Sequence, residues 1–320
     1  MAQILTFAVF LFMSLIMVIW SADHSIRYST KIAKGFALPK YIIGFLVVAV
    51  LGVLPEAFIA ISSALKGIPE FGLGIVFGSN VADMTFIFAL VILISQHNLK
   101  VESKIIKDRM IYISVLALPI ILGLNGYYSR LEGIIMIITG IAFYLFVVRK
   151  SGTSKEVYQE RFSLQDIFFL LVSMVVLLYA AHLSIKFSVN LAKIMEINPV
   201  LIGMFVIGIG TTLPELFFSI RALKNHHDSL ALGDILGIVV IDATIVLGTV
   251  AVLKPFSFNP LMVYVTGVFM ILAVMLLFFF MKSGRILTRK EAVMLLVFYI
   301  IFIAVELSIN AGSESVYLKI

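Results

Sequence analysis

Four carboxylates stand in apolar surroundings at one repeated spacing. Glu56 and Asp83 lie 159 positions before Glu215 and Asp242. The same offset relates Leu54-Pro55-Glu56 to Leu213-Pro214-Glu215, Gly74 to Gly233 and Gly78 to Gly237. It extends upstream to Ala33-Lys34 with Ala192-Lys193 and to Gly44 with Gly203. An acid inside a membrane-like apolar run is costly unless something positive neutralises it, so such acids are functional by default. A duplicated pair points to a cation site on a pseudo-symmetry axis. Oxygen-rich chemistry of this kind suits Ca²⁺, which takes about six to eight oxygens at about 2.3–2.6 Å. Zinc wants His or Cys. The chain has no Cys, which also excludes disulfides. Of its five His, His24, His97, His226 and His227 fall in loops and His182 near the end of an apolar run.

The neighbours of these acids supply further oxygens. Pro55 and Pro214 have no N–H to give to the carbonyls of Leu51 and Gly210, and a carbonyl freed inside a membrane must find protein, water or an ion. A lone proline is most simply a kink; two at matched positions, each followed by Glu, indicate a site. Thr211 lies one turn before Glu215 on its helical face, with Thr212 beside it, while Gly52 and Val53 hold the matched positions. Ser79, Asn80 and Asp83 form a polar stripe, whereas Ile238 stands opposite Ser79 and Asp234 opposite Ile75. Ala49 and Gly208 are small and matched, and would let backbone approach an ion. Gly74/Gly78 and Gly233/Gly237 are GxxxG pairs, which alone mean only close helix packing.

The elements that must position these residues are membrane spans. Of 320 residues, 62% are hydrophobic and 13% charged, about half the charged share of a soluble domain. A span needs about 20 apolar residues. Ten are predicted, at about 2–22, 41–65, 72–95, 108–124, 131–149, 165–185, 199–223, 229–253, 260–281 and 289–309. The first run lacks the basic start of a signal peptide, and removing it would spoil the repeat. The loops after spans 1, 3, 5, 7 and 9 hold 18 of the 24 Lys and Arg, so that side is cytoplasmic and both termini face out. The same placement explains the net charge of +6 without nucleic acid. Five spans per half is odd, so the halves run oppositely through the bilayer, as inverted-topology repeats do. The expected organisation is all-α and multi-pass in the cell membrane. Residues 1–149 and 165–320 form the halves, with repeats at about 41–95 and 199–253, and 150–164 form a cytoplasmic linker.

With these motifs on the page, the chain resembles the cation/Ca²⁺ exchanger superfamily, most closely the microbial sodium/calcium exchangers. Their repeat reads Gly-Thr-Ser-Leu-Pro-Glu, then Gly-Asn-x-x-Gly-Ser-Asn-x-x-Asp or a variant. Here Gly210-Thr211-Thr212-Leu213-Pro214-Glu215 nearly completes the first run, and Gly78-Ser79-Asn80-Val81-Ala82-Asp83 keeps the second. The resemblance implies that Glu56 and Glu215 coordinate Ca²⁺ and that Thr211, Thr212 and Ser79 give hydroxyls to sodium sites. It further implies that Ala49 and Gly208 offer backbone carbonyls and that Asp83 and Asp242 flank the centre. It implies a monomeric Ca²⁺ antiporter with no resident cofactor, in which spans 1 and 6 move against spans 2, 3, 7 and 8. Gly52-Val53 and Gly237-Ile238-Val239 depart from the motif and remove at least three hydroxyls. The divalent site is thereby kept, while the counter-ion, Na⁺ or H⁺, stays open.

Two other classes compete. An intramembrane aspartyl protease needs Gly-x-Gly-Asp and Tyr-Asp; the nearest string is Ala231-Leu232-Gly233-Asp234, and no Tyr-Asp occurs. A channel or a non-transporting homologue is the alternative that the eroded hydroxyls suggest. The remaining features read blandly. Glu306 packs inside or at the interface, and Trp20 and Tyr28 are interface anchors. Lys100, Lys104 and Lys107 meet anionic headgroups.

Overall fold

The computed structural model describes residues 2–35, 49–96, 98–101, 108–151, 163–195, 201–282 and 284–311. Gly44, His97, Lys104, Lys107 and most of the 150–164 linker lie outside the described residues. The described residues are almost wholly helical. The first half comprises α1 (Ala2–Gly35), α2 (Ala49–Gly52), α3 (Leu54–Leu65), α4 (Pro69–Ala82), a π-turn (Asp83–Ile87), α5 (Phe88–Ser95), β1 (Leu99–Lys100), α6 (Arg109–Leu122), β2 (Tyr127–Tyr128) and α7 (Arg130–Ser151). The second comprises α8 (Leu164–Met195), a π-turn (Ile202–Ile207), α9 (Gly208–Thr211), α10 (Leu213–Lys224) and α11 (Asp228–Val240). There follow another π-turn (Ile241–Val246), α12 (Leu247–Leu253), β3 (Phe256–Ser257), α13 (Pro260–Lys282), β4 (Ile286–Leu287) and α14 (Arg289–Ala311).

Among the described residues, eight helices are long and apolar enough to cross a membrane, and two apolar helices, Leu54–Leu65 and Arg109–Asn125, are shorter. The first begins after a break at Val53, just before Leu54-Pro55, and residues 36–48 ahead of it lie outside the described residues. The second carries Pro119 and tightens into a 3₁₀ turn at Gly123–Asn125. In the other direction, α1 and α8 run well past the apolar stretches that predict them, to Gly35 and Met195. Their mutual packing carries the polar ends along: Ser184 donates to Ser14 and Ser25 to Ser173, both at 2.9 Å. These two bonds set α1 and α8 antiparallel. They are also one bond written twice, since Ser14 matches Ser173 and Ser25 matches Ser184 at the 159 offset.

The backbone repeats that register in detail. A π-turn opens at Asp83 and at Ile241-Asp242, and Thr85 and Thr244 donate to Val81 and Val240, each at 2.5 Å. Ser129 with Glu132 caps α7, and Thr288 with Glu291 caps α14. In each, the backbone N–H of the cap bonds the Glu at 2.7 Å, the reciprocal half of a capping box. Left-handed residues also match: Gly67 (φ 85°) with His226 (φ 58°), and Gly126 (φ 75°) with Arg285 (φ 57°).

Two antiparallel ladders mark the ends of the molecule. β1 pairs with β4 through Leu99 and Leu287, and β2 with β3 through Tyr128 and Phe256. Each ladder joins one half to the other. The β1–β4 end also holds the turn after α10, where the Lys100 N–H bonds Asp228 at 2.8 Å. Between the ends, α4 and α11 are buried along nearly their whole length. In contrast, α1, α7, α8 and α14 expose apolar residues such as Phe12, Ile138, Leu171 and Ile300. That pattern suits a lipid-facing rim around a buried pair of helices.

Candidate cation site

The broken helices present the acids. Pro55 and Pro214 sit at the second positions of α3 and α10, after pauses at Val53 and Thr212, which are themselves matched by the offset. The acid follows directly, in the first turn of the new helix. The π-turns then place Asp83 and Asp242 at the ends of α4 and α11, facing the core. Glu56, Asp83, Glu215 and Asp242 are all buried. Gly78 allows the elements to close: a Cβ there would lie 2.8 Å from the Met204 carbonyl oxygen and 2.9 Å from its Cα.

Two half-sites result, related by the internal offset, and each draws on both halves of the chain. In one, Thr211 stands beside Glu56, and Ser79 Oγ lies 3.2 Å from Asp242 Oδ2. The Thr211 hydroxyl gives its proton to the carbonyls of Ile207 and Gly208, both at 3.0 Å, which leaves its lone pairs for a cation. Thr212 likewise donates to Ile209 at 3.0 Å. In the other half-site, Gly52 replaces the threonine: a Cβ on Gly52 would lie 3.0 Å from Glu215 Oε1 and 3.1 Å from Ile238 Cδ1. Ile238 is itself the replacement for Ser79, so Asp83 has no matching hydroxyl. Ala49 is buried at the start of α2; its carbonyl accepts the Val53 N–H at 3.0 Å. The Gly208 carbonyl accepts Thr212 N–H at 3.3 Å, and a Cβ on Gly208 would come 3.4 Å from the Ser79 nitrogen. The Ala49 carbonyl keeps a second lone pair, whereas that of Gly208 already accepts from both the Thr212 N–H and the Thr211 hydroxyl.

The electrostatics are those of an anion cluster without counter-charge. Glu56 and Glu215 have both carboxylate oxygens buried with no hydrogen-bond partner, and Asp83, Asp234 and Asp242 have one each. Both ends of the Asn80 amide are in the same state. An ion pair, Lys31–Asp166 at 2.9 Å, joins α1 and α8 away from this cluster. Glu215 lies within range of the charges of Glu56, Asp234 and Asp83, and Asp242 within range of Glu56 and Asp83. No three of these carboxylates, among the described residues, draw close enough to grip one ion together. The acids are neighbours rather than a preformed cage, so any ion held here needs backbone and hydroxyl oxygens as well.

Sequence reasoning placed Asn80 in the polar stripe and noted Asp234 as a departure from the repeat and as the acid of the weak protease string, not as a cation ligand. The structure buries Asp234 completely and gives it Ser219 as donor, at 3.1 Å. The signal that could have found it was the helical spacing of Ser219, four residues after Glu215. Glu306 is buried and accepts a bond from Thr266 at 2.5 Å, apart from the repeated acids.

Residues 6–149 and 166–307 match the model of the sodium/calcium exchanger protein family. The inner membrane protein YrbG of Escherichia coli (strain K12) is 26% identical over 267 residues, 78% of this chain and 81% of that one. The sodium/calcium exchanger MaX1 of Methanosarcina acetivorans is 23% identical over 340 aligned residues, covering 92% of this chain and 97% of that one. In fold, the chain is similar to the sodium-calcium exchanger NCX_Mj with a TM-score of 0.70 at 21% identity, over 94% of this chain and 99% of that one.

Proposed function

The chain belongs to the sodium/calcium exchanger family, a family of transporters and not of enzymes, and from that premise we propose that it is a secondary antiporter. It exchanges Ca²⁺ for a monovalent cation, Na⁺ in the first instance, by alternating access at the carboxylates of Glu56 and Glu215. Around that centre, Thr211, Thr212 and Ser79 supply hydroxyls, Ala49 and Gly208 supply carbonyls, and Asp83 and Asp242 complete the charge. The observation that carries this reading is the set of buried carboxylate oxygens without a donor or a cationic partner. An isolated buried carboxylate costs tens of kcal/mol by Born estimates. The cluster therefore rearranges only when cations or protons neutralise it, and that requirement is what couples one ion to the other.

The reading includes ten spans in two inverted halves, both termini outside, and a monomer as the transport unit. The antiparallel α1–α8 pair and the matched backbone features support the inversion; the two short apolar helices are then spans 2 and 4. Alternating access is movement of α1 and α8, bound to each other, against the block of α3, α4, α10 and α11. H⁺ coupling is the second reading. The loss of hydroxyls at Gly52 and Ile238 favours it, because protons need fewer oxygens than Na⁺ does.

The test is ⁴⁵Ca²⁺ uptake into vesicles of purified protein. Na⁺ coupling is expected to show as uptake driven by a Na⁺ gradient at equal pH. Uptake driven by a pH gradient without Na⁺ selects the second reading. Ca²⁺ flux that needs no trans cation would overturn both in favour of a channel.

A further inference from the structure

Asp234 is a buried acid beside the four repeated ones and has no counterpart in the repeat. Its side chain is fully enclosed, Oδ2 accepts from Ser219 at 3.1 Å, and Oδ1 has no partner. Ser219 lies one turn beyond Glu215 along α10, a rise of about 6 Å. That turn leads toward the β1–β4 end, where α10 closes onto α11 and Asp228 bonds Lys100. Asp234 therefore sits between Glu215 and that end. Its charge reaches Glu215 and Asp83, the two acids of the hydroxyl-poor half-site.

Nothing mirrors this pair. The matched positions are Ala60 and Ile75, on the side of Glu56 that faces the β2–β3 end, and both are buried and apolar. The core thus holds a fully buried carboxylate–hydroxyl pair on one approach to the centre and no such pair on the other, where the buried Ser63 donates to the Ala60 carbonyl and Glu70 is only half-buried. A carboxylate oxygen buried without a donor is tolerated only if a proton or a cation neutralises it, and either is exchangeable for the other.

We propose that Asp234 and Ser219 form an accessory site for a hard, oxygen-seeking cation on the β1–β4 approach to Glu215, which makes ion binding unequal at the two faces of the membrane. The inference rests on the antiporter reading for its transport consequence, with the β1–β4 end cytoplasmic, but the binding it describes does not need transport. A cation entering from that end meets Asp234 before Glu215, while one entering from the other end meets Ala60 and Ile75. The lost hydroxyls of Gly52 and Ile238 are thereby offset from below rather than in place.

Two measurements test it with the full chain. The first is equilibrium binding of ⁴⁵Ca²⁺ and, separately, ²²Na⁺ to purified protein. Asp234→Asn is expected to weaken binding of the occupying ion about tenfold, one charged contact's worth, and Ser219→Ala to weaken it in the same direction by about threefold. The ion that responds identifies the occupant, and unchanged binding of both ions overturns the site. The second compares half-saturation for Ca²⁺ in right-side-out and inverted vesicles. Asp234→Asn is expected to raise it about tenfold at the cytoplasmic face and less than about twofold at the other. Equal changes at both faces would reduce Asp234 to a packing role and overturn the proposal. Should Asp234→Asn fail to fold, Ser219→Ala carries both readouts. Wild-type protein that binds cations through Asp234 yet shows no exchange would defeat the antiporter reading alone.

Discussion

Around Glu56 and Asp242 stand Thr211 and Ser79; at the matched places around Glu215 and Asp83 stand Gly52 and Ile238. The surrounding backbone is far more alike than these four residues. Both halves break a helix one residue before Leu-Pro-Glu, open a π-turn at Asp, cap a later helix with the same hydroxyl–Glu box and place a left-handed residue in the same turns. The repeat holds in the geometry of the chain and departs at the side chains that surround the acids. The acids were kept in both copies because they are the charge that a cation must balance. The hydroxyls stand in only one half-site, and in the other Glu215 Oε1 takes up the room beside Gly52 instead.

That contrast can be broken at its centre. Glu56→Gln and Glu215→Gln are each expected to reduce Ca²⁺ exchange by about a hundredfold or more, since either removes half of the charge that holds the ion; normal exchange in either would strip it of its role. Next in size, Thr211→Val and Ser79→Ala remove the surviving hydroxyls. Each should weaken activation by the counter-cation about tenfold, read as the Na⁺ concentration for half-maximal ⁴⁵Ca²⁺ release. Repairing the poor half-site sharpens the comparison from the other direction. Ile238→Ser gives Asp83 a donor and is expected to strengthen Na⁺ activation about threefold. Gly52→Thr is expected to fail at the same task, because its side chain meets Glu215 at 3.0 Å. The smallest effects lie where the halves still agree. Ser129→Ala and Thr288→Ala should each cost about 1 kcal/mol of stability in detergent unfolding, by equal amounts within error; unequal losses would show that the match of the two caps is only geometric.

The acids, their prolines and their spacing were legible because a repeat reveals itself by comparison of the chain with itself. Apolar length likewise outlined the eight helices long enough to cross a membrane among the described residues. What escaped was contact between halves. Nothing local tells Ser14 that its partner is Ser184, or Ser25 that its partner is Ser173, since the pairing exists only once α1 and α8 lie antiparallel. That both helices run on past their apolar stretches, through 23–34 and 182–193, was legible in the sequence; the packing between them that sustains the polar turns was not. Asp234 was passed over because the repeat offers no second copy of it, although Ser219, one turn past Glu215, was in plain view. The convergence of four acids was legible as a neighbourhood; that no three close on one point was not, because separation depends on how far apart α3, α4, α10 and α11 are held.

The ladders β1–β4 and β2–β3 have a consequence for how this molecule is assembled. Each stitches a connection of one half to a connection of the other, at opposite ends, through main-chain bonds that do not depend on side-chain identity. Held at both ends and along the α1–α8 seam, the halves owe little of their association to the peptide that joins them in sequence. A polypeptide severed within 152–162 and produced as two fragments in the same cell is expected to come together as a working transporter.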